Sequence, residues 1–191
     1  SVGKKIYIVP EWMRGQDVPD GRVPLYLNPG LTFGTGSHAT TQLCLELLEE
    51  AVRPGCQVLD LGCGSGILAI AALGLGAAHA IGVDIDPKAV DVAYENAAMN
   101  GIGPDRLTVY AGNVLGDAKL AAKLRPGQNR VVLANIVADV IIPLSAAVEQ
   151  FMAPDGVFLA SGIIDDRADE VAAAIQANGL AITRRLERSG W

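Results

Sequence analysis

An α/β fold, built on a mostly parallel twisted sheet of six to seven strands with helices on both faces, is predicted by three observations. Short apolar runs alternate with helical-period segments along most of the chain. A glycine-rich turn, Gly62-Cys63-Gly64-Ser65-Gly66, separates one apolar run from the helix after it. Two of the runs close on an acid, Asp60 in one and Asp84 in the next. Alternating strands and helices imply parallel pairs joined by right-handed crossovers.

The elements follow in order. Lys5 to Val9 reads as a strand, and Val23 to Leu27 as a second one after a stretch punctuated by proline and glycine. Asn28-Pro29-Gly30 is a turn. From Thr40 to Val52, Leu43, Cys44, Leu47, Leu48 and Ala51 recur at helical spacing. Arg53-Pro54-Gly55 ends that helix. Gln57–Leu61 is a strand, Ile67–Leu75 a buried helix and His79–Val83 a strand. Asp86-Pro87 is an N-cap with proline at the first helical position, opening a helix to Asn100 with Gly101 beyond its end. Leu107–Tyr110, Arg130–Ala134 and Val157–Ser161 are further strands, and residues 116–124, 137–152 and 166–178 further helices. Pro143 should kink the second of these or delay its start. A last strand is expected over Leu180 to Leu186.

The glycine turn carries the chemistry. Glycines at two-residue spacing let backbone approach a ligand, because no Cβ stands in the way. The helix that follows aims its free N–H groups at the same spot, which suits a carboxylate or phosphate. Asp84, at a strand end, is placed to take a pair of ribose hydroxyls. Together these describe a nucleoside-cofactor pocket. The dinucleotide fingerprint G-x-G-x-x-G is not matched, since Gly66 comes one residue early and Ile67 fills the third glycine's place.

Composition bounds the alternatives. The 191 residues suffice for one domain with a full core, and half of them are hydrophobic. No apolar run approaches the ~20 residues needed to span a membrane, so no membrane partner is expected. Cys44, Cys56 and Cys63 are odd in number and lack paired spacing, which reads as reduced thiols in a cytoplasmic protein with no metal site. Fifteen basic against 21 acidic residues give a net charge of −6, and no basic run exceeds Arg184-Arg185. No direct nucleic-acid partner is expected from that balance.

Asp60, Gly62, Gly64, Gly66 and Asp84 in that order resemble motif I of the class I S-adenosylmethionine-dependent methyltransferases, D-x-G-x-G-x-G. Two further segments narrow the likeness. Asn28-Pro29-Gly30-Leu31-Thr32-Phe33-Gly34-Thr35-Gly36-Ser37-His38-Ala39-Thr40-Thr41 resembles the (D)PGLAFGTGxHPTT signature of ribosomal protein L11 methyltransferases. Ala134-Asn135-Ile136-Val137-Ala138 resembles that family's ANILA segment. The resemblance implies a Rossmann-like class I methyltransferase fold. It implies S-adenosyl-L-methionine as cofactor, and methyl transfer to lysine and N-terminal amines of ribosomal protein L11. By position it puts cofactor contacts on Thr41, Gly62, Asp84 and Asn135.

Departures from the pattern are Asn28 for aspartate, Ala39 for the proline after His38, and Asp139-Val140-Ile141 for the usual continuation. The family's N-terminal substrate-recognition domain is expected to be missing, with the last strand cut short near Trp191. Residues 1–36 then form a connecting segment and cofactor-lid loop, and residues 37–191 the methyltransferase domain.

Roles follow from the reaction, which mainly requires two reactants to be held in line. Asp84 accepts from the ribose diol. Asp60 orients the turn or reaches the methionine amine through water, and Gly62, Gly64 and Gly66 supply backbone approach. Asn135 either closes a turn or offers its amide oxygen to the incoming amine. Thr41 reads as a helix N-cap by itself and as a cofactor contact by resemblance. His38, on the loop after Gly34, is either structural or a substrate contact that assists deprotonation. Asn113 is placed to meet the adenine edge, and no general base stands out. A methyltransferase acting on nucleic acid or on glutamine amides is the alternative. Those enzymes usually carry [DNS]-P-P-[FYW] where this chain has Asn135-Ile136-Val137-Ala138. A fragment that binds cofactor but is inactive without a targeting domain is the other.

Overall fold

The computed structural model describes residues 2–28 and 39–191. Its main sheet has five parallel strands in the order β5-β4-β3-β6-β7. These are β3 (Gln57–Leu61), β4 (His79–Asp84), β5 (Leu107–Ala111), β6 (Asn129–Asn135) and β7 (Met152–Ser161). The helices are α1 (Ala39–Ala51), α2 (Ile67–Gly74), α3 (Pro87–Met99), α4 (Ala118–Ala122), α5 (Ala138–Ser145) and α6 (Asp165–Ala177). A separate two-stranded parallel ribbon pairs β1 (Ile6–Pro10) with β2 (Val23–Leu27).

Strand periodicity explains the layering. Side chains alternate between sheet faces, and a sheet buried on both sides needs apolar residues at nearly every position. Val58, Ala80, Leu107, Val131 and Leu133 face one core with α1, α2, α3 and the ribbon. Leu59, Ile81, Val132 and Ala134 face a second core with α4, α5 and α6. The chain steps outward from β3 to β5, then returns to lay β6 against the other side of β3. That reversal leaves a crevice at the carboxyl ends of β3 and β6, where open α/β sheets bind ligands.

Local signals hold well in the first half. Asp86 caps α3, its carboxylate accepting the Lys88 N–H at 2.9 Å, with Pro87 at the first helical position. The ribbon is tied to α1 by Glu49, whose carboxylate accepts the N–H groups of Lys4, Lys5 and Ile6.

The second half departs from expectation in three places. Residues 137–152 form α5 and then a 3-10 turn over Val148–Phe151, not one long helix. Pro143 neither delays the start nor ends the helix at once; α5 runs two residues past it. The helix expected at 116–124 contracts to Ala118–Ala122, capped by Asp117. No strand forms over Leu180–Leu186, so the main sheet has five strands among the described residues where six to seven were expected. Alternation of apolar residues prepares two faces, but a strand also needs a backbone partner. In this segment Leu180 packs against the second core, and Arg184 pairs with Glu50 of α1 and Arg185 with Asp169 of α6 at exposed positions.

Candidate functional site

Between β3 and β6 opens a crevice of about 360 Å³, a volume in the range of small-molecule sites. Its walls are the glycine turn, the first turns of α1, α2 and α3, the Asn135–Val137 segment and Gly162.

Backbone shape sets the turn. Gly62, Gly64 and Gly66 all have left-handed φ, +73°, +51° and +77°, a region that side chains with a Cβ enter at a cost. Their surroundings separate their uses. A Cβ on Gly62 would lie 2.6 Å from Ile136 Cγ2, and one on Gly66 3.0 Å from Ala93 Cβ. A Cβ on Gly64 would meet nothing within 4 Å, so on that side its backbone borders open space. Gly62 and Gly66 therefore serve packing, and Gly64 alone keeps the approach clear. The turn is anchored by the N–H groups of Gly62 and Cys63, which donate to the Val83 carbonyl at 2.7 and 2.9 Å. Cys63 seats its sulfur where Gly82 leaves room for it.

Asp60 is the penultimate residue of β3 and is 1% exposed. Burial pushes its carboxyl up to about 7, an effect opposed by a bond from the Ala69 N–H and reinforced by the charge of Asp84. Its Oδ2 has no hydrogen-bond partner among the described residues. Desolvation also drives the Cys44 thiol up to about 12 and the Cys63 thiol higher still, so both stay protonated and unreactive.

Asp84 ends β4 and bridges two loops. Its Oδ2 accepts the Gly64 N–H at 2.8 Å and its Oδ1 the Asp86 N–H at 2.9 Å. A carboxylate has about four acceptor positions, so lone pairs remain for a ligand. Asp84 is not itself among the residues lining the crevice, but Gly64 and Asp86, whose N–H groups it accepts, are. At the end of β6, Asn135 lines the crevice, and its buried Oδ1 has no partner among the described residues. Thr41 lies in the first turn of α1, 4% exposed, and borders the same space.

The structure thus gathers Thr41, Asp60, Gly62, Gly64 and Asn135 around one crevice, with Asp84 bonded to two residues of its wall. Gly66 sits one layer deeper, against α3. His38 and the loop from Gly34 lie outside the described residues. Asn113 is not brought to the crevice; its Oδ1 accepts the Leu115 N–H in a local turn. Sequence reasoning passed over Thr40, Lys88, Val137, Gly162 and Trp191, all of which line the crevice. Of these, Gly162 had a readable signal, a glycine directly after a strand. A Cβ there would lie 2.6 Å from the Ile136 carbonyl oxygen.

Comparison with known proteins bears on the family and the fold. The sequence model of the family described as ribosomal protein L11 methyltransferase (PrmA) matches residues 1–191. The ribosomal protein L11 methyltransferase of Desulfitobacterium hafniense is 44% identical over 190 residues, covering 100% of this chain and 58% of the relative. The chain therefore spans a little under three fifths of that protein's length. The crystal structure of the ribosomal protein L11 methylase from Lactobacillus delbrueckii subsp. bulgaricus superposes with a TM-score of 0.87 at 33% identity, covering 100% of this chain and 93% of that one. A SAM-dependent methyltransferase from Agrobacterium tumefaciens shares the fold, with a TM-score of 0.62 at 16% identity over 75% of this chain and 51% of that one. With the family's sequence model matched over residues 1–191, the chain belongs to the ribosomal protein L11 methyltransferase family.

Proposed function

We propose that this chain binds S-adenosylmethionine in the crevice and transfers its methyl group to lysine and N-terminal amines of ribosomal protein L11. One observation carries the reading. Two buried oxygens without partners among the described residues, Asp60 Oδ2 and Asn135 Oδ1, border a crevice that also exposes the bare backbone of Gly64. Buried polar atoms are normally paired, so this set is suited to a ligand that brings donors and positive charge.

The cofactor's chemistry fits the set. Its ammonium group complements Asp60, its carboxylate the N-terminus of α2, and its ribose diol the remaining lone pairs of Asp84. Gly64 lets the ligand lie against backbone, and Thr41 offers a hydroxyl to the methionine end. The bound cofactor would supply an electrophilic methyl carbon. The protein's share of the work is to hold the acceptor in line with that carbon and to exclude water.

Asn135 is proposed to do the holding. Its Oδ1 accepts a hydrogen bond from the incoming amine and so aims the nitrogen lone pair. Val137, 60% exposed at the mouth, offers an apolar surface for a lysine's methylene stem. A lysine amine has a reference pKa of ~10.4, and desolvation in the closed crevice favours its neutral, nucleophilic form. His38 is proposed to contact the substrate and assist its deprotonation. In this reading residues 1–36 are the connecting segment and residues 37–191 the methyltransferase domain. The work is cytoplasmic, where L11 is made; no described helix is long and apolar enough to cross a membrane.

Calorimetry with S-adenosylhomocysteine, followed by mass spectrometry of L11 incubated with labelled cofactor, tests the proposal. Saturable binding and label on L11 amines support it, and a chain that does not bind the homocysteine compound overturns it. Binding without label would assign methyl transfer to parts of the longer relatives.

A further inference from the structure

Two asparagines one helical turn apart connect the β1–β2 ribbon to the glycine turn. Asn100, just past α3, faces β2: its Nδ2 donates to the Tyr26 carbonyl at 2.9 Å, and its Oδ1 accepts the Tyr26 N–H at 2.8 Å. The side-chain amide thereby serves both backbone groups of Tyr26, as a neighbouring strand would. The same Nδ2 donates to the Asn96 carbonyl at 2.8 Å. Asn96 is wholly buried, and its own Nδ2 donates to the Ser65 carbonyl at 2.9 Å. Ser65 stands between Gly64 and Gly66. A continuous run of contacts therefore leads from β2 through Asn100 and Asn96 to the turn that borders the crevice.

Asn96 is costly where it is. Its Oδ1 is buried with no partner among the described residues, and an unmet buried acceptor opposes folding. An apolar residue of similar size would remove that unmet acceptor but take from the Ser65 carbonyl its donor. The amide is thus poorly explained as a stabiliser of the fold and well explained by the one carbonyl it holds. Asn100 lines a smaller cavity under the ribbon, not the crevice, so its influence on any crevice ligand must pass through Asn96 and Ser65.

We propose that Asn96 and Asn100 are positioning residues for the cofactor: they fix Ser65, and with it the Gly64 edge, in the conformation that docking of the ribbon selects. The inference rests on the crevice being the cofactor site. It makes cofactor affinity depend on a strand that never touches the cofactor.

The test compares wild type, Asn96→Leu, Asn100→Ala and a control, Asn178→Ala. Asn178 donates to Ser145 Oγ and to the Ala174 carbonyl, on the opposite face of the sheet. S-adenosylhomocysteine affinity is measured by calorimetry, thermal melting without ligand, and amide exchange at Ser65 and Gly66. Asn96→Leu exchanges one unmet acceptor for another, so it should melt close to wild type yet bind about tenfold more weakly, a typical coupling between sites. Asn100→Ala should also weaken binding and should speed exchange at both amides without ligand. In activity assays the cofactor KM should rise in both variants while kcat holds. Asn178→Ala should lower melting and leave affinity alone. Affinities within about twofold of wild type in both α3 variants, a factor worth well under 1.4 kcal/mol, would overturn the coupling while leaving the cofactor site standing. A wild-type chain that fails to bind would remove both. If Asn100→Ala does not fold, Asn96→Leu decides.

Discussion

Asp84 and Asp60 are both acids near strand ends, yet their environments set them to different tasks. Asp84 already accepts two backbone N–H groups and keeps lone pairs for a ligand. Asp84→Ala should weaken S-adenosylhomocysteine binding by about 1.5–3 kcal/mol, the scale of hydrogen bonds to a charged group, read by calorimetry. Asp60 is the titrating one. Its carboxyl is raised from an ordinary value of 3.8 to about 7, so the fold prefers it protonated. The associated stability is complete below about pH 4 and is lost as pH rises through 7. Asp60→Asn should therefore flatten the pH dependence of the melting temperature across that window. A cationic ligand beside Asp60 reverses the preference, so binding should tighten as pH rises through 7 and release a proton. Calorimetry in buffers of different ionisation enthalpy measures that proton, and Asp60→Asn should abolish it. Asp84 and Asn135 were legible in sequence because strand-end positions follow from periodicity. The unpaired state of Asp60 Oδ2 and Asn135 Oδ1 was not, since it depends on what α1, α2 and β7 pack around them.

Elements announced by local chemistry formed where expected. The glycine turn, the Asp86-Pro87 cap and β2 are written in residues adjacent to the structure they cause. The turn also separates binding from stability. Gly64→Ala carries the cost of a left-handed φ but puts its methyl group into open space at the crevice edge, so it should weaken ligand binding while lowering melting less than Gly66→Ala does. Gly66→Ala forces a Cβ to 3.0 Å from Ala93 at a left-handed φ, and should cost at least ~1–2 kcal/mol of stability. Parallel melting and binding measurements on the two variants check the contrast. Leu180–Leu186 shows where local reading runs out. Its alternation is real, but Glu50 and Asp169 compete for its arginines from elements 134 and 16 residues away. The shortened α5 is similar: Ser145 Oγ donates to the Ile142 carbonyl and receives Asn178 from beyond α6. No window around residue 145 contains that partner.

At the scale of the whole molecule, β3 sits at the centre of both cores and of the crevice. Strand order could be narrowed from sequence only as far as a parallel sheet, because right-handed crossovers are compatible with several orders. The reversal between β5 and β6 is what turns a list of motifs into a site. It brings together residues near positions 41, 60, 84, 135 and 162 that no single stretch of chain contains. Such a binding place has no partial version. Helices α2 and α3 can form early from nearby residues, whereas seating β6 against β3 requires distant parts of the polypeptide to meet, a slow event. During refolding from denaturant, far-ultraviolet ellipticity should recover first, and capture of a fluorescent adenosyl analogue should lag behind it. Simultaneous recovery of the two signals would mean that the pocket assembles in one step with its helices. A newly made chain would, on this view, be unable to consume cofactor until it has finished folding.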